Sequence, residues 1–268
     1  MMTLGVTGAF GFADFPQPRV LAEYVRAGCR VLQVYRNRVH EIAATEILRT
    51  VRDLPLRVDS MHGHFGDDLD PSSTDESVRA ATVEVYRREA DYCRQLGGEL
   101  VVVHPCPIKS VEGPQREACF AALRRSFADL ARIGESTQVR FAFENLPTPY
   151  AVGADVARLV REVTAAASPH IVFLLDTGHA HITGTVPDAI RAAGGQLRYT
   201  HVHDNDGVND LHLLPGRGSI DWDATARALH EVCYSGVFLL EVFEPLAELP
   251  TLLSSAWTER FGRLIRGA

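Results

Sequence analysis

The stretch Gly97-Gly98-Glu99-Leu100-Val101-Val102-Val103-His104-Pro105 decides the fold. Upstream of it, residues 73–96 place Val78, Ala81, Val85, Tyr92 and Leu96 at helical spacing, and the glycine pair stops that helix. Leu100 to Val103 then form an unbroken apolar, largely β-branched run, as a parallel strand buried on both faces requires. A histidine ends the run. The unit is therefore a helix, a glycine stop, a buried strand and a polar strand end.

The alternation of strand and helix continues in both directions. Towards the N-terminus, strands are expected over residues 56–61, 29–35 and 3–10, with helices over 41–53 and 17–27. Towards the C-terminus, residues 115–133 carry Phe120, Leu123, Phe127 and Leu130 on one helical face. Strands follow over 139–143, 171–175, 197–201 and 237–240, separated by helices over 154–163, 186–193 and 224–232, the last capped by Asp221. A final helix lies within 247–265. Eight strand–helix units close most simply into a (β/α)8 TIM barrel of the α/β class. No strand leads into a Gly-x-Gly-x-x-Gly turn, so an open doubly wound sheet lacks its phosphate-binding mark. No linker or charge block interrupts the pattern, and residues 1–268 are expected to form a single barrel domain.

Composition bounds the function. Net charge is −7, which argues against nucleic acid as a partner without excluding it, because a metal-lined pocket itself attracts phosphate. Cys29, Cys93, Cys106, Cys119 and Cys233 are odd in number and form no CxxC pair, so they read as free thiols of a reducing compartment. The first residues lack a basic stretch followed by an apolar one, and no apolar run approaches ~20 residues. A cytoplasmic location and no membrane contact are expected, and a homo-oligomer is left open.

In a barrel of this kind, chemistry sits at the carboxyl ends of the strands. Strands three to eight end in His62, His104, Glu144, Asp176, His201 and Glu241, with His179 three residues past Asp176, and Asp210 and His212 on the seventh loop. Singly, each has a plainer reading. A histidine after a strand is a polar end, Glu144 could pair with an arginine, and Asp176-Thr177-Gly178-His179 could be a helix cap and turn. Jointly they read as a metal centre, since unrelated surface residues would not fall on the same side of every strand. Nine donors exceed what one ion takes, so at least two ions are implied. The donors are hard, which suits Mn, Co, Mg, Fe or Zn as divalent ions. Cys106, beside His104-Pro105, is expected only to pack. His64 is a substitute for His62, while His40, His170, His181 and His230 read as surface or structural. Of Phe10, Phe12, Tyr35, Phe65 and Trp222, no more than two are expected to wall the pocket.

These residues resemble the xylose-isomerase-like TIM-barrel superfamily (AP endonuclease family 2), which holds endonuclease IV and sugar isomerases and epimerases of the inosose dehydratase and tagatose epimerase type. The matching stretches are Met61-His62, His104-Pro105, Glu144-Asn145, Asp176-Thr177-Gly178-His179, His201-Val202-His203-Asp204, Asp210-Leu211-His212, Pro215-Gly216-Arg217-Gly218 and Glu241. The resemblance implies a core site of Glu144, Asp176, His201 and Glu241, with His201 the ligand over His203. His62 and His104 would share Glu144 around a second ion, and His179, Asp210 and His212 would hold a third, giving one to three ions per chain. Leu146-Pro147 after Glu144-Asn145, Cys106 after His104-Pro105, and the lack of a lysine after His201 depart from the endonucleases towards the sugar enzymes. Arg217 stands where the sugar enzymes have Gly-Glu-Gly, and reads as a loop residue in preference to a contact for an anionic substrate.

The expected activity is a metal-dependent isomerase or epimerase of a sugar, sugar phosphate or inositol. It would abstract a proton next to a carbonyl through a metal-stabilised enediolate. Glu144 and Glu241 are the expected catalytic carboxylates, with His179 orienting a substrate hydroxyl. A small sugar or polyol is the expected partner. The competing readings are a keto-inositol dehydratase, an endonuclease IV-like phosphodiesterase at abasic sites, and a barrel that only recognises a sugar.

Overall fold

Side chains along a strand alternate sides, so every strand of a closed barrel feeds one column of residues inward and one outward. The structure, a computed structural model describing residues 1–12 and 17–266, shows both columns. Eight parallel strands pair in sequence order and close on themselves. They are β1 (Thr3–Phe10), β2 (Val31–Arg36), β3 (Arg57–His62), β4 (Leu100–Val103), β5 (Arg140–Glu144), β6 (Ile171–Asp176), β7 (Leu197–Val202) and β8 (Val237–Leu240). Closure runs through β1 and β8, from Thr3↔Val237 to Val6↔Leu240. Around them lie α1 (Gln17–Arg26), α2 (Ala44–Val51), α3 (Glu76–Gln95), α4 (Gly113–Thr137) and α5 (Val156–Ala165). They are followed by α6 (Thr177–Thr183), α7 (Val186–Ala193), α8 (Trp222–Glu231), α9 (Leu249–Leu252) and α10 (Ser255–Arg266). The chain is thus a (β/α)8 TIM barrel.

Two buried apolar clusters follow from the alternation. The larger packs outward-facing strand residues such as Val101, Val103, Phe141, Phe143, Phe173 and Leu175 against the helices. The smaller contains Leu100, Val102, Ala142, Val172, Leu174, Tyr199 and Leu239 and fills the barrel interior. One step of the period beyond these inner residues lie His104, Glu144, Asp176, His201 and Glu241. An apolar column therefore ends in a polar residue on each of five successive strands, and the interior that supports the site is a packed core.

Boundaries shift by up to four residues from expectation, most at the end of α4, and two elements differ in kind. The Asp176-Thr177-Gly178-His179 turn opens a seven-residue helix, α6, because the Asp176 carboxylate accepts from the backbone N–H of His179. The final helix is split into α9 and α10, with Leu253 and Ser254 between them. Asp221 caps α8 as expected, accepting from Ala224 N at 2.9 Å. Among the described residues, no helix is long and apolar enough to cross a membrane.

Candidate metal centre and active site

All nine sequence-predicted donors converge at the carboxyl end of the barrel. Glu144, at the end of β5, is the hub. Its Oε1 lies 3.0 Å from His201 Nδ1 on β7, and its Oε2 lies 3.3 Å from His104 Nε2 and 3.6 Å from His62 Nε2. Glu241 places Oε2 3.0 Å from the same His201 nitrogen. Donor atoms of Glu144, Asp176, His201 and Glu241 all fall within 4.8 Å of one another, as do those of His62, His104 and Glu144. The core quartet and the second trio thus form the groups that the resemblance implies.

The third group is linked through Asp210. Its Oδ2 lies 3.3 Å from His179 Nε2 and 3.4 Å from His212 Nε2. His203, set aside in favour of His201, also enters here. Its Nε2 lies 3.1 Å from each Asp176 oxygen, its ring stacks on His212 at 4.0 Å, and it groups with His212 and Glu241 within 4.8 Å. The signal was present in the sequence: His201 and His203 are two apart, so they leave β7 on the same side.

Backbone carbonyls fix how the histidines face the centre. His62 Nδ1–H donates to Gly63 O at 2.8 Å, His179 Nδ1–H to Asn145 O at 2.9 Å, and His212 Nδ1–H to Glu241 O at 3.0 Å. A carbonyl oxygen only accepts, so each Nδ1 carries a proton and each Nε2 is turned towards the carboxylates. Metal-binding histidines are held in this way, with the outer nitrogen tied down and the inner one presented.

The charges need a counter-ion. Glu144, Asp176, Asp210 and Glu241 have only histidines as ion-pair partners among the described residues, which removes the arginine reading of Glu144. Burial pushes Glu144 up, yet His201, His104 and His62 hold it well below the usual carboxylate range. Glu241 is likewise pushed up by burial but brought down to about 2, chiefly by His201. Burial opposes the charge on the histidines too, but the carboxylates prevail: His201 is held well above its ordinary value, His179 rises to about 10 and His212 to about 9. His104 is the exception, lowered by burial. Without a metal, protons on histidines balance the carboxylates. Glu144 Oε2, at 1% residue exposure, has no hydrogen-bond partner. A buried carboxylate oxygen that faces two imidazole Nε2 atoms without a hydrogen bond fits a divalent cation, and the nitrogen–oxygen donor set fits Mn, Co, Mg, Fe or Zn.

Two residues outside the predicted set hold the site in place. Asn145 bridges β5 and β6 by donating to Asp176 O at 3.0 Å and accepting from Asp176 N at 2.8 Å. Asp204, fully buried, accepts from the backbone N–H of Asn205, Ile220 and Gly216 and from Trp222 Nε1, all within 3.1 Å. It clamps the loop that carries Asp210 and His212. Arg217 pairs with Glu244 at 2.5 Å, in keeping with a loop role. Cys106 is buried and contacts Ile108, a packing role, and His64 lies against Glu89 instead of the centre. His170, His181 and His230 bond to Val139 O, Ser219 Oγ and Leu264 O.

A cavity of about 390 Å³ opens over the donors. Of the five aromatics considered from sequence, Tyr35 and Phe65 line it, while Phe10 and Trp222 are buried elsewhere. Tyr150 and Phe243, which were not anticipated, complete the aromatic wall.

The fold and site together define a (β/α)8 barrel with a histidine–carboxylate centre at the carboxyl ends of its strands. The chain belongs to the xylose isomerase-like TIM barrel family, whose model matches residues 21–260. It is 29% identical over 185 residues to the uncharacterized protein MJ1311 of Methanocaldococcus jannaschii, covering 68% of this chain and 63% of that one. It is 23% identical over 181 residues to the inosose isomerase of Bacillus subtilis, covering 65% and 64%. The chain thus spans a little under two thirds of the length of these relatives. Among solved structures, it superposes on a D-tagatose 3-epimerase-like protein with a TM-score of 0.79 at 20% identity, over 98% of this chain and 99% of the other.

Proposed function

We propose that this protein is a divalent-metal-dependent isomerase or epimerase of a sugar or polyol. The observation that carries the reading is the placement of Glu144 and Glu241. Two carboxylates from β5 and β8 face one histidine nitrogen, each at 3.0 Å, beneath a cavity of small-metabolite size. The similarity to proteins named as an inosose isomerase and a tagatose epimerase-like protein supports the same class.

Glu144, Asp176, His201 and Glu241 would hold the central ion, and His62 and His104 a second one shared with Glu144. Once bound, the cation supplies Lewis-acid stabilisation of negative charge developing on substrate oxygens. The chain's own groups do the rest. One of Glu144 and Glu241 takes the proton from the carbon next to the carbonyl, and the other, once protonated from solvent, delivers its proton to the opposite face for epimerisation. Both are held ionised in the free protein, as a base must be. His179, fixed through Nδ1 to Asn145 O, orients a substrate hydroxyl with Nε2. Tyr35, Phe65 and Phe243 keep water from the reacting carbon.

The test is solvent deuterium uptake by the Mn²⁺-loaded protein into a panel of ketoses and inositol ketones, read by mass spectrometry. Exchange is expected with at least one compound, and Glu144→Gln and Glu241→Gln should each cost about 10²-fold or more. Absence of exchange across the whole panel overturns the reading. A second reading, a phosphodiesterase at abasic sites, is favoured by Asp210, whose Oδ2 lies near both His179 and His212, although these three do not form one of the donor groups that close within 4.8 Å. Three bound ions with cleavage of an abasic-site oligonucleotide would select it, and one ion with ketose exchange would reject it.

A further inference from the structure

The chain contains one lysine. Of its 27 Lys and Arg residues, 26 are arginine, and the exception is Lys109. Among the described residues, sixteen line the cavity over the donors, and Lys109 is the only lysine or arginine among them. Elsewhere the chain uses arginine for its cations and pairs most of them with carboxylates. Arg36 meets Glu89, Arg79 meets Asp129, and Arg158 meets Glu117. No carboxylate pairs with the Lys109 ammonium group among the described residues.

The placement is built by the fold. Lys109 lies on the loop after β4, which is joined to the loop after β5 by an antiparallel bridge between Lys109 and Tyr150. Ala151 N donates to Ile108 O and Ser110 N to Pro149 O, both at 2.9 Å, and lock the two loops into one wall. The ammonium group rides 4.7 Å from the centre of the Tyr150 ring, and both residues line the cavity. A compact ammonium with three donors on a flexible stem suits this position. It can follow a tetrahedral or rotating anion in a space where a planar guanidinium demands fixed geometry.

We propose that Lys109 is a substrate-binding residue that recognises an anionic group, a phosphate monoester or a carboxylate, at the end of the substrate remote from the reacting carbon. The inference deepens the proposed function: it rests on that reading for the sugar part, and names the substrate as an acidic sugar. Among the described residues no ion pair joins Lys109 to a donor of the metal centre, so it sets specificity without entering the proton transfer.

A matched set of ketoses tests it: D-fructose, D-fructose 6-phosphate and D-fructuronate, which differ only at the terminal carbon. Each is titrated calorimetrically into the Mn²⁺-loaded wild type, Lys109→Met and Lys109→Arg, with deuterium exchange followed on the same samples. One of the two anions should bind the wild type about tenfold or more tighter than D-fructose, as one charge-assisted hydrogen bond allows. Which anion does so distinguishes phosphate from carboxylate. Lys109→Met should abolish the preference while leaving D-fructose binding unchanged, and Lys109→Arg should keep part of it. As the sole lysine, Lys109 can also be acetylated and read as one modified peptide, and the preferred anion should slow that reaction. Equal binding of all three, binding of neither anion, a preference that survives Lys109→Met, or an equal loss for every ligand overturns the proposal. Exchange into D-fructose without anion preference keeps the isomerase reading and rejects the subsite. An anion preference lost in Lys109→Met, without exchange into any ketose, keeps the subsite and rejects the isomerase reading.

Discussion

At the scale of the residue, the site separates groups that face the cavity from groups that aim them. Asp204 belongs to the second kind. Its two oxygens accept four hydrogen bonds from Asn205, Gly216, Ile220 and Trp222, and no water reaches it. Truncation leaves several buried N–H donors unsatisfied, each worth about 1–3 kcal/mol. Asp204→Ala is therefore expected to cost about 3 kcal/mol or more, a fall in Tm of about 6–12 °C for a chain of this size. It should also weaken metal binding by loosening the loop with Asp210 and His212. Thermal unfolding with metal titration checks this, and a Tm within about 2 °C of wild type would sink the clamp. Six of the nine donors were legible in the sequence because each ends a short apolar strand, and His179, Asp210 and His212 through the family-like motifs that follow strands six and seven. Asp204 was legible only as a neighbour of His201, since nothing local shows that residues 12 to 18 positions away close around it.

At the scale of the element, α6 carries Asp176 as its cap and His179 in its first turn, and it packs its N-terminal end against β7. Contact is closest at Gly178, where an added Cβ would lie 1.9 Å from His203 Cε1. Gly178→Ala must displace the His203 ring from Asp176 or push α6 off the barrel. An overpacked core position costs about 1–3 kcal/mol, and a disturbed supporting contact costs about 10–100-fold in metal affinity. Gly195→Ala is the control, since nothing lies within 4 Å of the Cβ it would add. Both are read by thermal unfolding and metal titration. Matching behaviour of the two variants would show that the close approach is unimportant. The cap at Asp176 and the metal group were competing readings in the sequence. In the structure the cap forms, with one carboxylate oxygen accepting from His179 N, and Asp176 also offers an oxygen within 4.8 Å of donors of Glu144, His201 and Glu241.

At the scale of the whole molecule, the charge balance of the centre couples stability to pH and to metal. In the metal-free protein, His179 and His212 rise from 6.5 to about 10 and about 9. Their contribution is fully present below pH 6.5 and is lost as pH rises through those values. Glu241 falls from 4.5 to about 2, so its contribution is present above pH 4.5 and is lost as pH falls towards 2. Metal-free protein should therefore be most heat-stable between pH 4.5 and 6.5. A divalent ion replaces histidine protons, so its binding should release protons and move the stability maximum above about pH 7. Melting curves with chelator and with Mn²⁺ across pH check this. An unchanged maximum would mean that the cation is not bound by these histidines.

The sequence by itself determined the barrel, since strand and helix alternate through eight units and the strands from the third onward end in donors. It also determined the donor types at the strand ends, because their placement depends on a strand period of two. Tertiary structure alone decided how the donors group, that His203 joins them, and that Asn145 and Asp204 aim the parts. It also decided that Lys109 faces the same cavity. Those outcomes depend on distances between loops from different strands, set by closure of the barrel and by loop-to-loop hydrogen bonds that no local pattern encodes.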